Sequence, residues 1–141
     1  MQHWCHHGWV DVLSSRLLIR PRDLHASIRF YRDVVGLAIY REFGPPEHPG
    51  TVFFAGPSLL EVSGESPDRP PHQRPTTALW LQVRDVDAEH TRLRALGVDI
   101  SREPRQEPWG LVEMWISDPD GLPVALVEVP ADHPLRRDQR S

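Results

Sequence analysis

The chain has 141 residues, 39% hydrophobic and 26% charged, with a net charge of −4. That is one domain's worth of core in an ordinary globular composition, and the acidic balance excludes affinity for nucleic acid or an anionic membrane by charge alone. No apolar run approaches the roughly 20 residues of a membrane span, and a lone Cys5 excludes an internal disulfide.

Residues 1–14 match nothing later in the chain and read as a flexible N-terminal extension. They carry His3, Trp4, Cys5, His6, His7 and Trp9. His and Cys suit zinc or copper, but no further Cys or paired His follows at zinc-finger spacing. With no basic region and apolar run ahead of it, the chain reads as cytoplasmic.

Residues 15–63 form the first unit. A strand over Leu17 to Arg20 is ended by Pro21, which cannot donate to a ladder. Asp23 is suited to cap a helix. Leu24, Ile28, Tyr31 and Val35 give that helix a core-facing stripe, and Gly36 closes it. Leu37 to Phe43 reads as a strand, Gly44 to Gly50 as a Pro-rich loop. Thr51 to Ala55 and Leu59 to Ser63 read as strands joined at Gly56-Pro57-Ser58. Residues 64–76 form a linker with Pro67, Pro70, Pro71 and Pro75, extended and exposed.

Residues 77–130 repeat the pattern. Ala78 to Val83 is a strand. Asp85 caps a helix over Val86 to Leu96, with Val86, Leu93 and Leu96 expected inward and Gly97 at its end. Val98 to Arg102 reads as a strand, Glu103 to Pro108 as a loop, and Leu111 to Ser117 as a strand. Asp118-Pro119-Asp120-Gly121 is a tight turn, and Pro123 to Val129 is the last strand. Residues 131–141 read as a loose polar tail.

Asp23 and Asp85 are 62 residues apart, and Gly36 and Gly97 are 61 apart. Two matching spacings over this distance indicate a duplicated supersecondary unit. The fold class that follows is α+β, with two tandem βαβββ units.

Two such units, with Arg84-Asp85-Val86-Asp87-Ala88 opening the second helix and Asp118-Pro119-Asp120-Gly121 before the last strand, resemble the vicinal oxygen chelate superfamily. This is the glyoxalase, bleomycin-resistance and dioxygenase group. Ser27-Ile28-Arg29-Phe30-Tyr31 through Val35-Gly36-Leu37 looks like its first helix, and Pro108-Trp109-Gly110 looks like a stretch of the bleomycin-resistance branch. The resemblance implies curved mixed sheets around a cavity, and a homodimer in which two chains often build that cavity together.

In the metal-dependent members of that group, ligands come from the first and fourth strands of each unit. Carried over by position, the candidates are Arg16, Glu61, Ala78 and Ala125. Arginine has no lone pair to give, alanine offers nothing, and a catalytic divalent ion needs about three protein ligands. Only Glu61 remains of the pattern, so no metal cofactor is expected. Gln82 and Glu113 stay open as shifted donors.

Strand alternation predicts the lining. Trp80 and Gln82 share one face, opposite Leu79, Leu81 and Val83. Glu113 and Trp115 share a face with Leu111, opposite Val112, Met114 and Ile116. Arg16 and Glu61 should meet, since the first and fourth strands of this fold are neighbours. The expected ligand site is therefore Arg16, Glu61, Trp80, Gln82, Trp109, Glu113 and Trp115. Its aromatic walls suit a flat or amphipathic small molecule, as in drug sequestration. The alternative is an enzyme of the same superfamily (a lyase, isomerase or dioxygenase) with Glu61 or Glu113 as base.

Overall fold

The computed structural model describes Gly8, residues 10–68 and residues 75–135. The His, Cys and Trp residues of the N-terminal extension, with His72, Pro70 and Pro71 of the linker, lie outside the described residues.

Eight strands form two four-stranded sheets. The first holds β1 (Leu17–Ile19), β2 (Ile39–Phe43), β3 (Gly50–Ala55) and β4 (Ser58–Val62) in the order β1-β4-β3-β2. The second holds β5 (Leu79–Val83), β6 (Ile100–Gln106), β7 (Val112–Ser117) and β8 (Pro123–Glu128) in the order β5-β8-β7-β6. In each, the first strand runs parallel to the fourth and the remaining pairs are antiparallel. This is the α+β duplication expected from the repeat.

The helices start alike. Asp23 Oδ1 accepts from the Ala26 amide at 3.1 Å ahead of α1 (Leu24–Arg29), and Asp85 Oδ1 accepts from the Ala88 amide at 3.0 Å ahead of α2 (Val86–Ala95). Each cap satisfies one amide that the first helical turn leaves unpaired. They end alike as well, with Gly36 and Gly97 at φ of 84° and 77°. α1 differs by continuing as a π-helical segment, Phe30–Val35. The widened turn buries both Phe30 and Tyr31, whose rings meet edge to face at 5.0 Å.

One core serves both units. Leu24, Ile28, Tyr31, Phe53 and Leu60 cluster with Val86, Leu93, Met114, Ile116 and Leu126. Each sheet thus turns one face toward a core shared with both helices. Its opposite face points away from that core and is the open face, although on the second sheet Leu111, Ala125, Val127 and Val129 are buried there as a smaller cluster.

Two expectations are corrected. Leu96 is 55% exposed, because α2 stops at Ala95 and Leu96 sits beyond the buried stripe of Val86 and Leu93. β6 runs over Ile100–Gln106 rather than Val98 to Arg102, so most of the expected 103–108 loop is strand. β6 is an edge strand with two register shifts, which is where a sheet tolerates Pro104.

Candidate functional site

The open face of the second sheet gathers most of the expected site. Register places Trp80 beside Ala125 and Ala125 beside Trp115, with Arg102 beyond Trp115 on β6. The next row runs Gln82, Val127, Glu113 and Arg105. Leu79, Leu81 and Val83 pack on the shared core, as alternation requires. Trp80 stands 49% exposed, whereas Trp115 is half-buried against Leu111, Ala125, Val127 and Val129.

Ala125 is the floor between the two indoles and is fully buried. Two interstrand steps of about 4.8 Å separate the backbones of Trp80 and Trp115 by about 10 Å. The methyl group in that gap is covered, and Trp80 supplies the exposed aromatic surface beside it.

Glu113 is only 5% exposed, and its Oε2 accepts from Trp109 Nε1 at 2.8 Å. Trp109 itself is 58% exposed, so it lies at the mouth of the face rather than in its wall. Sequence reasoning missed a neighbouring cluster. Arg102 pairs with buried Glu107 and reaches the Glu113 carbonyl at 3.4 Å, and Arg105 lies 3.4 Å from Glu107. Glu107 fell in a stretch read as loop, so no alternation pointed to it.

The first sheet holds the second part of the predicted site. Arg16 Nη1 donates to Glu61 Oε1 at 2.9 Å, and the Ser63 hydroxyl donates to Glu61 Oε2 at 2.6 Å. The Ser63 bond above all holds the Glu61 carboxyl below the usual carboxylate range; burial, next in size, opposes it, and the bond and charge of Arg16 and the charge of Arg20 add to the lowering. Glu61 is thus an ionised acceptor with both oxygens engaged, a poor base near neutrality. The open face of this sheet also carries Leu18, Tyr40, Phe43 and Phe54, all exposed, with Tyr40 edge-on to Phe54 at 5.1 Å. The Arg16–Glu61 pair and the Trp80 and Trp115 indoles lie on different sheets, and one chain does not bring them together.

The four positions implied for a metal do not fit one. Arg16 is a cation bound to Glu61, Ala78 is an exposed methyl group, and Ala125 is buried between indoles. Among the described residues no three His, Cys, Asp or Glu side chains converge on a point where an ion could sit. A separate cavity of about 280 Å³ lies at Arg22, Asp23, Ser27, Pro67, Pro119 and Asp120, among residues of the two units near the start of α1. None of these residues lines the Trp face. His90 is half-buried, and its Nε2 has no partner among the described residues.

Comparison with known proteins gives consistent results. A family model described as the Glyoxalase/Bleomycin resistance protein/Dioxygenase superfamily matches residues 14–126. A lactoylglutathione lyase of Haemophilus influenzae is 29% identical over 119 residues, which is 79% of this chain and 88% of that protein. Among solved structures, the fold is shared with TnmS3, an antibiotic binding protein from Streptomyces sp. CB03234, at a TM-score of 0.65 and 24% identity. That match covers 85% of this chain and 100% of TnmS3. A superfamily member from Sphaerobacter thermophilus matches with a TM-score of 0.60 and 24% identity, over 86% and 98% of the two chains. No helix among the described residues is long and apolar enough to cross a membrane.

Proposed function

We propose that this chain, which belongs to the Glyoxalase/Bleomycin resistance protein/Dioxygenase superfamily, binds a small aromatic or amphipathic molecule between Trp80 and Trp115 and sequesters it without metal or chemical step. The observation that carries this reading is Ala125. The position carried over from the superfamily's metal ligand is a buried methyl group, and indoles flank it on both neighbouring strands. The site has aromatic surface where metal chemistry would need a donor. The likeness in fold to an antibiotic binding protein supports the same use.

A homodimer in the cytoplasm is part of the proposal. Tyr40, Phe43 and Phe54 on one open face and Trp80 on the other are large apolar groups left in water by the single chain. The two faces point away from one shared core, so only a second copy brings the open face of one sheet against that of the other.

The lactoylglutathione lyase relative and the buried Glu113 support a second reading, an enzyme with Glu113 as its base. One experiment separates the two. Tryptophan fluorescence is titrated with bleomycin-type and other aromatic natural products, the ligand is recovered and analysed, and the protein's metal content is measured. Sequestration requires quenching, an unchanged ligand and no stoichiometric metal. One bound metal per site, with turnover lost on chelation, overturns it.

A further inference from the structure

His133 ties the segment after β8 to the loop at the mouth of the Trp face. A turn closed by the His133 amide donating to the Pro130 carbonyl at 3.0 Å brings the imidazole back over the Trp109 loop. Nδ1 lies 3.1 Å from the Leu135 amide, which can only donate. Nδ1 is therefore the bare nitrogen of a neutral ring, and Nε2 carries the proton. Nε2 lies 3.0 Å from the Trp109 carbonyl and donates to it. The two bonds fix ring and tautomer together.

The loop beneath is narrow. The Glu107 amide donates to the Leu111 carbonyl at 2.7 Å, and the Gly110 amide donates to the Glu107 carbonyl at 2.9 Å. Gly110 sits at φ 95° against the imidazole: a Cβ there would lie 3.0 Å from His133 Cδ2. Trp109 is thus held at its carbonyl by His133 and at its indole nitrogen by Glu113 Oε2. Without the first hold, the loop is free to swing the indole off a carboxylate that is otherwise buried.

We propose that His133 is a positioning residue of the ligand site. Its Nε2–H fixes the Trp109 loop, and Trp109 in turn fixes the Glu113 carboxylate on the ligand face. The consequence for affinity rests on the ligand reading above, whereas the consequence for Trp109 does not.

The test starts without ligand. In ¹⁵N-labelled protein the Trp109→Phe variant identifies one indole N–H signal among those of the five tryptophans. Hydrogen exchange of that N–H rises roughly fivefold in His133→Ala, the worth of one hydrogen bond. His133→Gln keeps an N–H near the position of Nε2 and restores slow exchange. His133→Asn places its amide near Nδ1 only, short of the Trp109 carbonyl, and does not. Unchanged exchange in His133→Ala, or equal rescue by Asn and Gln, overturns the proposal. With a molecule that quenches the wild-type protein, His133→Ala weakens binding roughly fivefold, and the weakening disappears in the Trp109→Phe background. The same loss in both backgrounds shows that His133 acts elsewhere. If no molecule in the screen binds the wild-type protein, the ligand reading fails, and the exchange experiment still decides the role of His133.

Discussion

The Tyr31 hydroxyl donates to Asp118 Oδ2 at 2.8 Å and joins the helix of the first unit to the last turn of the second. The other oxygen, Asp118 Oδ1, accepts from the Asp120 and Leu122 amides at 2.8 and 2.9 Å. Tyr31→Phe keeps the ring and removes the donor from a buried carboxylate. The expected loss is about 1–3 kcal/mol of stability, read from the denaturant midpoint. An unchanged midpoint would show that the bond contributes nothing net.

The same relationship governs alkaline behaviour. Burial, then the charge of Asp118, then the hydrogen bond to it push the Tyr31 phenol far above its ordinary value. The neutral form is favoured in the folded state, so this contribution is complete below the unfolded value of about 10 and is lost as pH rises above it. Tyr31 should therefore stay protonated until the protein unfolds. The phenolate absorbance difference between the wild-type protein and Tyr31→Phe shows it: the Tyr31 contribution rises only on unfolding.

Glu61 should respond at the acid end. Its folded pKa lies below the unfolded carboxylate value because of Ser63 first and Arg16 second. Its contribution is therefore present above about pH 4.3 and fades as pH falls through the lower, folded value. Ser63→Ala and Arg16→Ala should each move the Glu61 carboxyl resonance midpoint upward toward the ordinary range. A midpoint unmoved in both variants contradicts this account.

Trp80 and Trp115 should separate binding from stability. Trp80→Ala removes a half-exposed indole and should cost under about 1 kcal/mol of stability while weakening ligand binding by roughly thirtyfold. Trp115→Ala also opens the cluster with Leu111, Ala125 and Val127, and should cost about 2–3 kcal/mol in addition. Calorimetry on both variants, beside quenching titrations, gives the two quantities independently. Undiminished affinity in Trp80→Ala places the ligand elsewhere.

The sequence was informative where a feature is local. Asp23, Asp85, Gly36 and Gly97 act within one turn of chain, and their roles follow from residue type and spacing. Strand parity likewise placed Trp80, Glu113 and Trp115 on the open face. The Arg16–Glu61 pair was legible only through the fold that the resemblance implied. His133 was not legible at all: its contact with Trp109 spans 24 residues and lies in a stretch whose polarity reads as tail. Glu107 was hidden because it lies just past the end of β6, where strand parity does not reach.

The sharing of one core has a consequence for how the molecule comes apart. Leu24, Tyr31 and Phe53 have Val86, Met114 and Ile116 in the same cluster, so neither repeat keeps the main interior to itself. Cutting the chain between the two sheets would leave each half with its inner surface bare. The duplication so plain in the sequence is thus not a pair of autonomous modules. Denaturation should pass through a single cooperative transition seen alike by tryptophan fluorescence from the second repeat and by circular dichroism from both.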